Sequence, residues 1–148
     1  MEKLIEEHQL QSFSRLEQLI ILSIQDTLHQ KDINLKSKEC GIVLATTKGN
    51  VEYLQNHTET LDERAFLWST ANKIEDYFQL TNTIRTISNA CISGVSAFVV
   101  AQRMIELEGY KHVMVVGADV LSHFITSGFL SFQSISKNPC CPDDARRD

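Results

Sequence analysis

Two short runs of apolar and β-branched residues restrict the fold of this chain more than any other feature. Residues 40–47 read Cys40-Gly-Ile-Val-Leu-Ala-Thr-Thr, and residues 112–118 read His112-Val-Met-Val-Val-Gly-Ala. Runs with almost no polar side chain are typical of strands that are covered on both faces, as in parallel sheets. Both runs are therefore predicted to be buried strands.

Helical patterns lie before and between these runs. Residues 13–28 place apolar side chains mostly three or four positions apart, and residues 95–108 do the same ahead of Gly109, which is expected to end the helix. Residues 83–88 favour a further strand, whereas residues 51–79 follow no single period and are expected to form loops and helices over the sheet. The order of helix, strand, helical insert, strand, helix, strand predicts an α/β fold with a mainly parallel sheet.

Length and charge narrow the class of protein. The 148 residues suffice for one domain, and the net charge of −5 leaves no basic field for a nucleic acid or an anionic membrane. The longest uninterrupted apolar runs, such as residues 19–22 and 97–101, are far too short to span a membrane. The N-terminus lacks the pattern of a secretory signal. We therefore expect no nucleic-acid partner, no membrane partner and a cytoplasmic location.

The cysteines and histidines do not follow a metal-binding pattern. Of the four cysteines only Cys140 and Cys141 are close, and adjacent cysteines give neither a relaxed disulfide nor CxxC spacing. No HxxxH or HExxH pair occurs among the histidines. We expect no metal and no cofactor. The histidines are His8, His29, His57, His112 and His123.

Cys91 lies where a predicted strand ends and a predicted helix begins, among the small residues Ala90, Ser93 and Gly94. At a helix N-terminus a thiol meets unpaired backbone N–H groups and the positive end of the helix dipole, which favour the thiolate. The same N–H groups would stabilise the oxyanion that forms when a thioester is attacked. From the spacing alone Cys91 is either such a nucleophile or simply a small buried apolar residue.

The surrounding sequence resembles a known family. Thr86-Ile-Ser-Asn-Ala-Cys-Ile-Ser-Gly-Val-Ser-Ala resembles the active-site segment of β-ketoacyl-[acyl carrier protein] synthases, which are condensing enzymes with the thiolase fold. Val113-Met-Val-Val-Gly-Ala-Asp resembles the strand that follows the nucleophile helix in that family, and residues 128–132 resemble the loop region beyond it. Residues 13–19 and 41–49 resemble the helix and second strand of the N-terminal half, and residues 141–148 resemble the family's Arg-Pro-Phe-Asp-x-x-Arg-Asp-Gly stretch.

The resemblance implies a two-step reaction for an intact enzyme. Cys91 takes an acyl group from a carrier-protein thioester, and a malonyl thioester is then decarboxylated so that its carbanion attacks the acyl-cysteine. The backbone N–H of Cys91 would be one oxyanion donor. The substrate-binding site would be shaped by Asn89, Ile92, Ser93 and Gly94. The implied partners are acyl carrier protein and acyl and malonyl thioesters, with fatty acid or polyketide-type synthesis as the pathway.

Parts of the family pattern are absent or altered. Ile92 replaces the small residue that usually follows the nucleophile, and Asp143 stands where the family generally has phenylalanine. The first strand of the N-terminal half and the whole C-terminal half, with two catalytic histidines and a lysine, have no counterpart. Residues 1–148 are thus expected to form a partial N-terminal domain. We expect this partial domain to be inactive in condensation and to leave one edge of its sheet open. Intact relatives dimerise through the strand at residues 83–88, as homodimers or as heterodimers of related subunits.

Other readings remain open from the sequence. His112 and His123 are interpreted as a strand-edge residue and a loop residue, outside the family's histidine motifs. Another thiolase-fold acyltransferase, either a thiolase or a polyketide synthase, would place a cysteine at the same junction. A non-catalytic partner subunit that controls chain length would resemble the family too, although such subunits typically lack the cysteine.

Overall fold

The structure is a computed structural model and describes residues 2–55, 61–141 and 143–145. Its helices are α1 (Glu2–Glu7), α2 (Arg15–Gln30), α3 (Leu67–Phe78), α4 (Ser93–Glu108) and α5 (His123–Ser131). Its strands are β1 (Cys40–Ala45), β2 (Arg85–Ile87) and β3 (His112–Gly117), and short 3-10 turns occupy Val51–Gln55, Glu63–Ala65 and Ala90–Ile92.

The three strands form one parallel sheet in the order β2-β1-β3. At its last residue β1 pairs Ala45 with Ile87 of β2 and with Gly117 of β3. The three strands therefore end at the same edge of the sheet. The α/β class and the parallel sheet predicted from the sequence are confirmed, and the layering is compatible with an incomplete thiolase-like fold.

The central strand β1 separates two apolar clusters because successive side chains of a strand point to opposite faces. Cys40, Ile42 and Leu44 face α2 and α3, whereas Val43 and Ala45 face α4. All six residues of β1 are buried, as predicted. The larger cluster also contains Leu10, Leu16, Ile20, Ile21, Ile24, Leu35, Ala71, Ile74, Ile84 and Val116.

A buried polar network fixes α2 against the turn after β1 and against α3. Ser14 caps α2, and its hydroxyl accepts the Glu17 N–H at 3.2 Å while donating to Asn50 Oδ1 at 2.9 Å. Glu17 is fully buried, and its carboxylate accepts from the Ser14 N–H at 2.7 Å, from Asn50 Nδ2 at 3.2 Å and from Lys73 Nζ at 3.4 Å. A buried carboxylate is tolerated only when it is paired in this way.

Several predicted elements differ in detail. β3 is not the fully buried strand that was predicted: only Val116 is buried, because β3 lies at an edge of the sheet and contacts α4 on one side. Residues 128–132, read as a loop, belong mostly to α5, and His123 begins that helix rather than lying in a loop. The prediction for residues 51–79 is confirmed where the chain is described, and residues 56–60 lie outside the described residues.

One helical stretch among the described residues, Ala90–Glu108, has the length and mean hydropathy (1.4) that a membrane-spanning helix requires. The stretch is apolar on average, although Gln102, Arg103 and Glu106 interrupt its apolar runs. A single such helix is weak evidence for a span, since the core helix of a soluble protein has the same properties. In this chain one face of α4 packs on the sheet through Ala97, Ala101 and Met104.

Candidate active site

Cys91 lies in the connection that leaves the sheet at the carboxyl end of β2. The strand ends at Ile87, the 3-10 turn Ala90–Ile92 follows, and α4 continues from it without a break. The Cys91 side chain is exposed. Of the neighbouring N–H groups, that of Asn89 donates to Ser93 Oγ and that of Ile92 donates to the Asn89 carbonyl. The predicted strand-to-helix position of Cys91 is therefore confirmed, and the alternative of a buried apolar cysteine is wrong.

The residue before Cys91 has an unusual backbone. Ala90 has φ of +45°, in the left-handed region that residues with a Cβ rarely adopt. Ser93 bridges the turn, because its hydroxyl accepts the Asn89 N–H at 2.8 Å and donates to the Ala90 carbonyl at 2.7 Å. Ser93 is only 4% exposed. The turn that carries Cys91 is thus held by hydrogen bonds on both sides of Ala90.

An apolar cavity of about 380 Å³ opens beside Cys91. One wall is the turn that contains Cys91, a second is the segment after β1, and the third is α5 with its C-terminal end. Residues from three separate parts of the chain therefore meet at the thiol. The lining consists of Thr47, Lys48, Ala90, Cys91, Phe124, Ile125, Gly128, Phe129, Ser131 and Phe132.

Hydrogen bonds from the other two strand ends hold the wall after β1. Asp119, just beyond β3, accepts from Thr46 Oγ1 at 2.9 Å and from the Thr47 N–H at 2.9 and 3.2 Å. Ser88, just beyond β2, donates its hydroxyl to the Thr47 carbonyl at 3.1 Å. The cavity therefore lies outside the carboxyl ends of parallel strands, where open α/β sheets generally bind ligands.

The four cysteines differ in environment. Cys40 lies in the central strand, and burial raises the pKa of its thiol, which makes it a poor nucleophile. Cys91, Cys140 and Cys141 are exposed. Of the four, Cys91 is the one that lines the cavity. An exposed thiol beside an apolar cavity can attack the carbonyl of a thioester whose acyl chain enters that cavity.

The other predicted site residues surround Cys91 but do not line the cavity. Asn89 is exposed and its side-chain amide lies 3.4 Å from Ser96 Oγ. Ile92 is exposed, and a Cβ at Gly94 would meet no atom within 4 Å. The hydroxyl of Ser93 is turned inward to the Asn89 and Ala90 peptides. Their assignment to substrate binding stays a prediction.

Sequence reasoning missed the other walls of the cavity. Thr47 ends the run predicted as a parallel strand and Lys48 follows it, so the rule on carboxyl ends would have indicated them. The apolar residues of α5 gave a weaker signal, since Phe124, Ile125 and Phe129 also fit an ordinary buried helix face.

Among the described residues, no histidine or acidic side chain lines the cavity beside Cys91. His112 begins β3 at the opposite edge of the sheet, and His123 is not among the residues that line the cavity. Within residues 2–55, 61–141 and 143–145, no three His, Cys, Asp or Glu side chains are grouped as metal ligands.

The parallel sheet and the strand-to-helix cysteine are compatible with the class of the thiolase-like condensing enzymes. Within that class, residues 86–128 match the family model of 3-oxoacyl-[acyl-carrier-protein (ACP)] synthase III. The matched segment runs from β2 through Cys91, α4 and β3 into α5. It is less than a third of the chain, and over this stretch it confirms the resemblance to condensing enzymes. No match was found among the curated proteins or among the solved structures.

Proposed function

We propose that this chain carries the acyl-accepting half of a β-ketoacyl-[acyl carrier protein] synthase, with Cys91 as the covalent nucleophile. The observation that carries the proposal is the exposed Cys91 thiol on the wall of an apolar cavity at the carboxyl edge of a parallel sheet. The family match across the same segment supports it.

In the first step the Cys91 thiolate attacks the carbonyl carbon of an acyl thioester. The tetrahedral oxyanion collapses, a new thioester forms at Cys91, and the original thiol leaves and takes up a proton. The backbone N–H of Cys91 would be one donor to this oxyanion. The apolar lining accommodates the acyl chain, so burial of that chain contributes to binding.

In the intact protein a malonyl thioester would then lose CO2, and its carbanion would attack the acyl-Cys91 carbonyl to form the new carbon–carbon bond and release the cysteine. The malonyl group and the acyl group would be delivered by acyl carrier protein. We expect no condensation from these 148 residues alone, since the two histidines and the lysine implied by the resemblance have no counterpart in them.

Acyl transfer to the chain tests the proposal directly. The chain is incubated with the hexanoyl thioester of N-acetylcysteamine, and peptide mapping by mass spectrometry locates the acyl group. We expect one acyl group on Cys91, release of one thiol per acyl group, and loss of both in Cys91→Ser. The double variant Cys140→Ala/Cys141→Ala is the control and should be acylated like the wild type.

Two results would remove the proposal. One is acylation of Cys91, Cys140 and Cys141 at equal rates, which would indicate general thiol reactivity. The other is no acylation of Cys91 at all. Labelling by cerulenin, an inhibitor that alkylates condensing-enzyme cysteines, gives a second comparison among the same three exposed thiols.

A further inference from the structure

The left-handed backbone conformation of Ala90 needs a physical cause. Alanine has a Cβ that crowds the preceding peptide in the left-handed region, so this conformation persists only where the surroundings impose it. Ala90 nevertheless has φ of +45° in the residue directly before the nucleophile.

The contacts of Ser93 supply that cause. Its hydroxyl accepts the N–H of Asn89, on the N-terminal side of Ala90, and donates to the carbonyl of Ala90 itself. The Ser93 N–H also reaches the Ala90 carbonyl, and the Ile92 N–H donates to the Asn89 carbonyl at 3.2 Å. Ser93 is 4% exposed, so water does not compete strongly for these bonds.

We infer that Ser93 is a positioning residue, which holds Ala90 in the left-handed conformation and so directs the Cys91 thiol toward the cavity. The side chain acts through the backbone, because its hydroxyl bonds to the Asn89 and Ala90 peptides and Ser93 is not among the residues that line the cavity. This inference rests on the proposed role of Cys91 as acyl acceptor and assigns to Ser93 the control of its reactivity.

A glycine at position 90 separates this role from a general effect on folding. Glycine adopts a positive φ without steric penalty, so a chain with Gly at position 90 no longer depends on Ser93 to impose it. Ser93→Ala should therefore lower the reactivity of Cys91, and Ala90→Gly should restore much of it in the double variant. A purely structural contribution of Ser93 predicts no such rescue.

The experiment measures acylation of Cys91 relative to Cys140 and Cys141 in the same molecule, with the hexanoyl thioester, in five chains. These are the wild type, Ser93→Ala, Ala90→Gly, Ala90→Gly/Ser93→Ala and Ser14→Ala. Ser14 is a matched control: it is buried, and its hydroxyl also accepts one backbone N–H and donates one hydrogen bond, but in the cap of α2. Iodoacetamide, which needs no acyl recognition, is used in parallel.

We expect Ser93→Ala to lower the acylation of Cys91 relative to Cys140 and Cys141 about tenfold. An effect of this size is typical when a strained backbone conformation is lost. The double variant should return to within about twofold of Ala90→Gly alone, because glycine removes the strain. Ser14→Ala should leave the ratio unchanged while lowering the melting temperature.

An unchanged ratio in Ser93→Ala would overturn the inference, as would an equal fall in Ser14→Ala. If Ser93→Ala does not fold, the double variant decides: a folded double variant whose Cys91 reacts no faster than Cys140 also overturns it. If the wild type shows no preference for Cys91 toward the thioester, the proposed function fails. The iodoacetamide ratios then still test the role of Ser93, so the two failures are distinguishable.

Discussion

The two faces of the sheet are built very differently. On one face α2 and α3 cover β1 with a large buried cluster and a polar network around Glu17. On the other face α4 contributes Ala97, Ala101 and Met104 to a small cluster, and its outer surface stays open, with Phe98 67% exposed. Cys91 precedes α4 on that second side. Stability is therefore concentrated on the α2–α3 face, whereas the reactive residue belongs to the lightly packed face.

The largest expected difference between the faces comes from truncating one isoleucine on each. Ile74 in α3 is 0% exposed, whereas Ile105 in α4 is 48% exposed. Ile74→Ala should lower the free energy of unfolding by about 2–5 kcal/mol, because it leaves a cavity in the core. Ile105→Ala should change it by less than about 1 kcal/mol. Urea unfolding of both variants measures this, and similar losses would contradict the comparison.

A second prediction concerns the contact between β1 and α4. A Cβ at Gly41 would lie 2.6 Å from Met104 Cε and 3.0 Å from Tyr110 Cε1. Gly41→Ala should therefore lower the free energy of unfolding by about 1–3 kcal/mol through overpacking.

Gly117 in the edge strand β3 is the matched control, since a Cβ there would meet no atom within 4 Å. Gly117→Ala should leave the urea midpoint close to that of the wild type. If Gly41→Ala also left the urea midpoint unchanged, the contact between β1 and α4 would accommodate a methyl group more easily than these distances indicate.

A third prediction tests the link between the strand ends and the cavity. Asp119→Ala removes the acceptor for Thr46 Oγ1 and the Thr47 N–H, and should cost about 1–2 kcal/mol of stability because the buried Thr46 hydroxyl loses the acceptor for its proton. Because Thr47 lines the cavity, acylation of Cys91 by the hexanoyl thioester should slow as well.

Calorimetry and the peptide-mapping assay measure the two effects of that change. Asp32→Ala, at an exposed position between α2 and β1, is the control and should alter neither. A stability loss with no effect on acylation would mean that the wall after β1 does not govern the site.

The smallest expected effect concerns acid stability at the open face. Arg85 of β2 pairs with Glu108 at the end of α4, and this hydrogen-bonded pair lowers the pKa of the Glu108 carboxyl below its ordinary 4.5. A lowered folded-state pKa means that the pair stabilises the fold above pH 4.5 and that this contribution is lost as the pH falls through the lowered value. Glu108→Gln should therefore reduce the loss of melting temperature on acidification by a small amount, as expected for an exposed pair.

Glu106 is the control for this effect, because it lies on the same helix and accepts from Gln102 rather than from an arginine. Glu106→Gln should keep the acid dependence of the wild type. Equal profiles for the wild type and Glu108→Gln would show that the pair contributes nothing across the open face.

Much of the fold followed from local patterns. The apolar run at residues 40–47 became the buried strand β1, and the helix predicted at residues 13–28 became α2 within two residues at each end. Gly109 ends α4 in the left-handed conformation, as its position indicated. The prediction that β3 is fully buried was wrong, because a run of valines looks the same in a central strand and in an edge strand.

The site was predicted only in part. The small residues around Cys91 and the strand-to-helix pattern indicated the nucleophile, and the family resemblance strengthened it. The left-handed Ala90 was not indicated, since the sequence shows a common alanine and the cause lies in the hydroxyl of Ser93. The family resemblance predicted a loop region at residues 128–132, whereas residues 128–131 belong to α5.

By itself the sequence determined the order of elements from α2 to β3 and the place of Cys91 at a strand-to-helix junction, because these depend on periodicity and on neighbours within a few positions. Only the tertiary structure decided which face of the sheet is deeply packed and which residues surround the thiol. Thr46 and Asp119 are 73 positions apart, and Cys91 and Phe124 meet across a cavity that neither local pattern describes. Such contacts arise from the parallel crossovers that bring the carboxyl ends of three strands to one edge.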